Sequence, residues 1–195
     1  MSTDTSPQSD ADAQQAAPDA DVHARLDELE AELADLRAAV NDRPKKMVIV
    51  ATKGTLDMAY PPLILASTAA AFGYDVTVFH TFWGLEILHA DHASKLKLSS
   101  VGNPNMPMPN ALAALPGMDE VTTRMMRKRI ADNDVASVEE LVQTALDSDV
   151  DLQACQMTID LLGYDEDDFF EGVTVGVGAA TAFQAMMDAD IQLLV

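Results

Sequence analysis

Lys45-Lys46-Met47-Val48-Ile49-Val50-Ala51-Thr52 opens a unit that closes at Tyr74-Asp75-Val76-Thr77-Val78-Phe79-His80-Thr81. Each is a short run of mostly apolar, β-branched residues, the pattern of a strand buried on both faces. Between them, Lys53-Gly54-Thr55 reads as a tight turn and Leu56 to Phe72 as an apolar helix. Pro61 and Pro62 fall near its first turns, where proline is tolerated, and Gly73 reads as its stop. Strand, helix and strand within about 35 residues make a βαβ unit, which requires parallel strands and a right-handed crossover.

Downstream, Phe82-Trp83-Gly84-Leu85-Glu86 follows the second strand directly and holds the one tryptophan, with a helical turn or two running to His92. From Ser94 to Gly117 no period is visible, and Pro104, Pro107, Pro109 and Pro116 interrupt the chain. A loop of that length reads as a lid, a partner surface or a membrane contact. Met118 to Ala131 reads as a helix carrying Arg124, Arg127, Lys128 and Arg129. Ser137 and Glu140 form a capping box that starts a helix through about Ser148. A short strand follows near Asp151-Leu152, and Met157, Leu161 and Leu162 then have helical spacing. Tyr164 to Phe170 reads as an acid-rich helix start closed by Glu171-Gly172. After it come a short strand or loop at Val173–Gly178, a small-residue helix at Ala179–Ala189 and a last strand at Ile191–Val195. The alternation predicts an open, doubly wound α/β sheet of four or five mainly parallel strands over residues 45–195.

Upstream, Val22, Leu26, Leu29, Leu33, Leu36 and Val40 recur in steps of four and three. That is a heptad seam, and over residues 21–43 it predicts a coiled-coil helix ended by Pro44. An isolated helix of this length is marginal in water, so the seam needs a partner. The narrow 3.5-residue stripe favours a second copy over its own domain. Residues 1–20 contain Ser, Asp, Ala, Gln and Pro and no large apolar residue beyond Met1, and they are expected to form a disordered acidic tail.

The formal net charge is −20, from 32 acidic against 12 basic residues spread along the chain. Without clustered cations, nucleic acid is excluded as a partner. An acidic balance of this size resembles cytoplasmic proteins of salt-loving microbes, where salt screens the self-repulsion. One cysteine excludes an intrachain disulfide framework and fits a reducing, cytoplasmic compartment. The N-terminus lacks the charge and apolar regions of a signal peptide, and no run is long enough for a membrane span, although a membrane partner stays open.

The cysteine, Cys155, falls where the short strand gives way to helical spacing. Unpaired N–H groups and the positive end of the helix dipole bias a thiol there toward thiolate. A buried structural cysteine is the equal alternative. In a sheet of this kind ligands bind beyond the carboxyl ends of the strands, where Thr52-Lys53-Gly54, Phe82-Trp83-Gly84 and Cys155 arrive. His80, His89 and His92 with Asp91 lack the spacing of a metal site. Lys53-Gly54-Thr55 lacks the frame of a phosphate loop, and Gly176-x-Gly178 that of a dinucleotide fingerprint. No metal or other cofactor is expected.

Val48-Ile49-Val50-Ala51-Thr52-Lys53-Gly54, Val78-Phe79-His80-Thr81-Phe82-Trp83-Gly84-Leu85 and Ala154-Cys155-Gln156-Met157-Thr158-Ile159-Asp160-Leu161-Leu162-Gly163 together resemble the DsrE/DsrF/DsrH-like sulfur-relay family, in its larger branch often labelled peroxiredoxin-like. The resemblance covers about residues 45–195 and leaves the heptad helix outside. It implies a flavodoxin-like α/β fold, a tendency to oligomerise, and a cysteine, here Cys155, that carries sulfur as a persulfide. Some related chains carry a second cysteine; without it no resolving step or dithiol cycle is open, whereas persulfide transfer needs one thiolate. The expected function is a sulfur carrier, in enzymatic terms a persulfide sulfurtransferase, that passes sulfane sulfur from Cys155 to a partner thiol. Phe82, Trp83 and Met157 are expected to keep water from the thiol, with Lys53 a source of positive charge. The alternative is a non-catalytic oligomeric assembly or ligand-binding module in which Cys155 is structural.

Overall fold

The computed structural model of the 195-residue chain describes residues 9–99 and 117–195. It divides into two units, residues 1–43 and 44–195. In the first, helix α1 spans Ser9–Asp42. It covers the expected heptad helix but starts earlier, so residues 9–20, expected to be disordered, are helical. Ala11, Ala13, Ala16, Ala17 and Ala20 are strong helix formers, which the polar composition around them concealed. The expectation for residues 1–8 lies outside the described residues.

The second unit is a five-stranded sheet, β1 Lys46–Ala51, β2 Asp75–His80, β3 Asp151–Cys155, β4 Thr174–Val177 and β5 Ile191–Leu194. All pairings are parallel, in the order β4-β3-β2-β1-β5. The helices are α2 Leu56–Ala71, α3 Met118–Asp132, α4 Val138–Asp147, α5 Gln156–Leu162 and α6 Ala179–Met187. The connections from β1 through β4 step across the sheet in one direction. Right-handed crossovers therefore put α2, α4 and α5 on one face, and the return from β4 to β5 puts α6 on the other.

Continuous apolar strands need cover, and α2 supplies it with Ala59, Leu63 and Ala66, one helical face, all fully buried. Ile49, Val78, Leu152 and Val142 complete that core. Each fully buried aliphatic side chain contributes about 1.5–3 kcal/mol. Helix α4 starts with the expected capping box: the Glu140 N–H donates to Ser137 Oγ at 3.2 Å, and the Ser137 N–H donates to Glu140 Oε2 at 2.7 Å. Two local expectations change. The stretch after Gly163 makes only a 310 turn at Glu166–Asp168, because Phe169 is drawn into an antiparallel bridge with His89. Of the proline-rich segment expected as a lid or partner surface, residues 100–116 lie outside the described residues. Among the described residues no helix is long and apolar enough to cross a membrane.

Candidate functional site

All five strands point the same way, so the carboxyl ends of β1, β2 and β3 share one edge of the sheet in that order. Strands are spaced about 4.8 Å apart, which puts the end of β2 beside Cys155 and the end of β1 one strand further away.

β2 ends in a 310 turn, Phe82–Ile87, that lies down across the end of β1. Two glycines make this contact possible. A Cβ on Gly84 would sit 2.3 Å from the Ala51 carbonyl oxygen, and one on Gly54 would sit 2.0 Å from that of Trp83. To enter the turn, Phe82 adopts φ +48°, a left-handed conformation that costs about 1–2 kcal/mol for a residue with a Cβ. Its N–H donates to the fully buried Thr158 Oγ1 at 3.1 Å, and Thr158 Oγ1 lies 3.2 Å from Thr81 Oγ1. The far end of α5 is tied to the same turn. After Gly163, in the left-handed conformation at φ +71°, Tyr164 donates its hydroxyl to Glu86 Oε1. Glu86 Oε2 meets His92 Nδ1 at 2.7 Å, and His92 stacks on His89 with ring centroids 3.6 Å apart. Burial, then the hydrogen bond to Glu86, pushes the Tyr164 hydroxyl up to about 12, so it remains a donor at neutral pH. Burial, then the neighbouring His92, holds His89 below the ordinary histidine value.

Cys155, at the opposite end of α5 from Tyr164, is its N-cap residue and 2% exposed. Sulfur accepts weakly, and no side-chain hydrogen bond caps the helix. The surrounding donors act instead on the charged form. Burial raises the thiol pKa, but the hydroxyl and N–H of Thr158, the Thr81 hydroxyl and the Met157 N–H outweigh it, and the thiol lies below its ordinary value. Among the described residues, no charged side chain is a cause of that shift. A sulfur held this way favours thiolate without a cation beside it and can attack a soft electrophile.

The other sequence-predicted residues distribute as follows. Phe82, Trp83 and Met157 are 50–60% exposed, so in this chain they form an apolar rim rather than a cover. Lys53 is exposed just past the end of β1, two strands from β3. Thr52 is engaged in the sheet, where its N–H and hydroxyl both donate to the Val195 carbonyl at 3.0 Å. Gly54 and Gly84 serve the approach of the two turns. His80 is fully buried, its ring nitrogen 3.2 Å from the Val78 carbonyl. Burial pushes its pKa down to about 4, which keeps it neutral. Sequence reasoning did not assign Thr81 and Thr158 to the thiol. Thr158 at i+3 from a cysteine that opens a helix was the available signal, since the N-cap side chain faces the N3 residue.

A family model described as DsrE/DsrF/DrsH-like matches residues 43–194. The chain is 45% identical over 159 residues to the sulfur carrier protein DsrE2 of Allochromatium vinosum, covering 77% of this chain and 98% of that protein. It is 30% identical over 149 residues to the uncharacterized protein YrkE of Bacillus subtilis, covering 73% of this chain and 93% of that one. Among solved structures, the crystal structure of the ychN protein from E. coli aligns with a TM-score of 0.46 at 13% identity, over 77% of this chain and 99% of that one.

Proposed function

This chain belongs to the DsrE/DsrF/DrsH-like family, and from that premise we propose that it is a sulfur carrier that holds sulfane sulfur as a persulfide on Cys155. The observation that carries the reading is the place of the one cysteine, at the N-cap of α5 on the carboxyl edge of the sheet, next to the turn that Thr158 ties to Thr81 and Phe82. The Cys155 thiolate attacks the outer sulfur of a donor persulfide or polysulfide. A bond forms from Sγ to that sulfur, the donor's S–S bond breaks, and the donor leaves as a thiolate. An acceptor thiolate then attacks the same outer sulfur and frees Cys155 as thiolate, with no net oxidation. The exposed rim of Phe82, Trp83 and Met157, with the Thr52-Lys53-Gly54 turn next to it, is the surface on which the partner thiol protein docks. The carrier works in the cytoplasm of a salt-rich cell and self-associates through α1 and the α/β domain.

The test is the intact mass of the protein after incubation with polysulfide. One or more sulfur increments are expected, reversed by reductant and absent in Cys155→Ser. Iodoacetamide should also modify Cys155 faster than a free thiol at pH 6–7. The burial of Cys155 favours the second reading, an assembly or ligand-binding module with a structural cysteine. A folded protein inert to both reagents would replace the carrier with that module.

A further inference from the structure

The apolar seam of helix α1 is exposed among the described residues. Val22, Leu26, Leu29, Leu33, Leu36 and Val40 are each between 46% and 63% exposed. An apolar stripe along a helix is stable only against something, and the residues beside the stripe say what.

The four- and three-residue steps set Leu26, Leu33 and Val40 at heptad position a, and Val22, Leu29 and Leu36 at position d. Arg25 and Glu32 then occupy position g, and Glu30 and Arg37 position e, the places that form bridges between helices. In a parallel, in-register pair each g residue faces the following e residue of the other helix. Arg25 meets Glu30 of the second copy, and Glu32 meets Arg37 of the second copy. Both contacts are attractive, and symmetry doubles them. The antiparallel arrangement that keeps every seam residue paired sets Val22 against Val40, Leu26 against Leu36 and Leu29 against Leu33. It brings Glu30 toward Glu30 and Glu32 toward Glu32, two like-charge contacts. In the single chain Arg25 bridges to Glu28, but both side chains are about two-thirds exposed, and such a pair opposes a new partner only weakly.

We propose that α1 pairs with the α1 of a second copy of this chain, parallel and in register. The chain leaves α1 through Arg43 and Pro44, so both α/β domains depart from the same end of the pair. Pairing tethers two copies of Cys155 together, and a partner with two thiols meets them at raised effective concentration. The proposal rests on the self-association in the function above and not on its sulfur chemistry.

The test uses the full chain with Cys155→Ser and Val22→Cys, so that position 22 holds the one thiol. Val22 is exposed, and the substitution leaves the fold intact. A parallel pair brings the two introduced thiols within disulfide range and crosslinks most of the protein under mild oxidation. An antiparallel pair holds them about 27 Å apart along the helix. It would crosslink only when Val22→Cys is mixed with Val40→Cys, and that result would overturn the proposal, as would no crosslink in either sample. Adding Arg25→Glu and Arg37→Glu turns both facing contacts repulsive and should cut the crosslinked yield several-fold at low salt. An undiminished yield would show that charge does not set the orientation.

Discussion

Burial presses the Cys155 thiol pKa up, and the hydroxyls and amides of Thr158, Thr81 and Met157 draw it further down. Valine matches threonine in shape and removes only the hydroxyl, which makes it the substitution to use. A hydrogen bond to a charged group is worth about 1.5–3 kcal/mol, so Thr81→Val or Thr158→Val should slow alkylation of Cys155 at pH 7 by roughly tenfold or more. The sign follows from the protonation state. The donors hold the thiol below its ordinary value. Without one of them the thiol keeps its proton to higher pH, and the alkylation profile moves up. A profile that stays in place in both variants would mean that the hydroxyls serve packing alone. Cys155 itself was legible in the sequence because it is the one cysteine and a change of period marks its position. The hydroxyls were not, because Thr81 and Thr158 lie 77 residues apart in the chain. Tyr164 and Glu86, 78 apart, were hidden for the same reason.

At the level of elements, the 310 turn after β2 and the turn after β1 interlock without room for a side chain. Gly84→Ala would drive a Cβ into the Ala51 carbonyl and push the 310 turn off β1. We expect a loss of about 1–3 kcal/mol in urea unfolding, together with slower Cys155 alkylation, because Phe82 and Thr81 move with the turn. Gly163→Ala is the contrast. Its φ is +71° but nothing lies within 4 Å of the added Cβ, so only the left-handed penalty of about 1–2 kcal/mol applies. Equal alkylation rates in Gly84→Ala and the parent would separate the turn from the thiol. The βαβ unit was readable because β-branched runs, the Gly54 turn and the Gly73 stop agree with one another. Strand order was not, since periodicity reports a strand's faces and not its neighbours. The short 310 turn at Glu166–Asp168 was misread as a helix start because acidic residues favour both.

For the whole molecule, charge is the dominant unbalanced term. A net −20 on 195 residues repels itself, and salt screens that repulsion within about 10 Å at 0.1 M and 3 Å at 1 M. The melting temperature should rise by several degrees between low and molar KCl, and equal values would remove the halophilic reading. The fold class was legible at this scale because short, continuous β-branched runs alternate with longer segments of helical spacing. The helical state of residues 9–20 was not, since composition alone does not weigh alanine against the polar residues between. The order β4-β3-β2-β1-β5 also sets a timetable for synthesis. The strand made first has its outer edge closed by the strand made last, through the Val195 N–H donating to the Val50 carbonyl and the Asp190 N–H donating to the Lys46 carbonyl, each at 2.9 Å. Until β5 leaves the ribosome, β1 presents an open, sticky edge, and closing it is a long-range step of the slow kind. Until β5 pairs, the nascent domain carries an edge open to misassembly, and a net charge of −20 opposes the close approach of neighbouring unfinished copies.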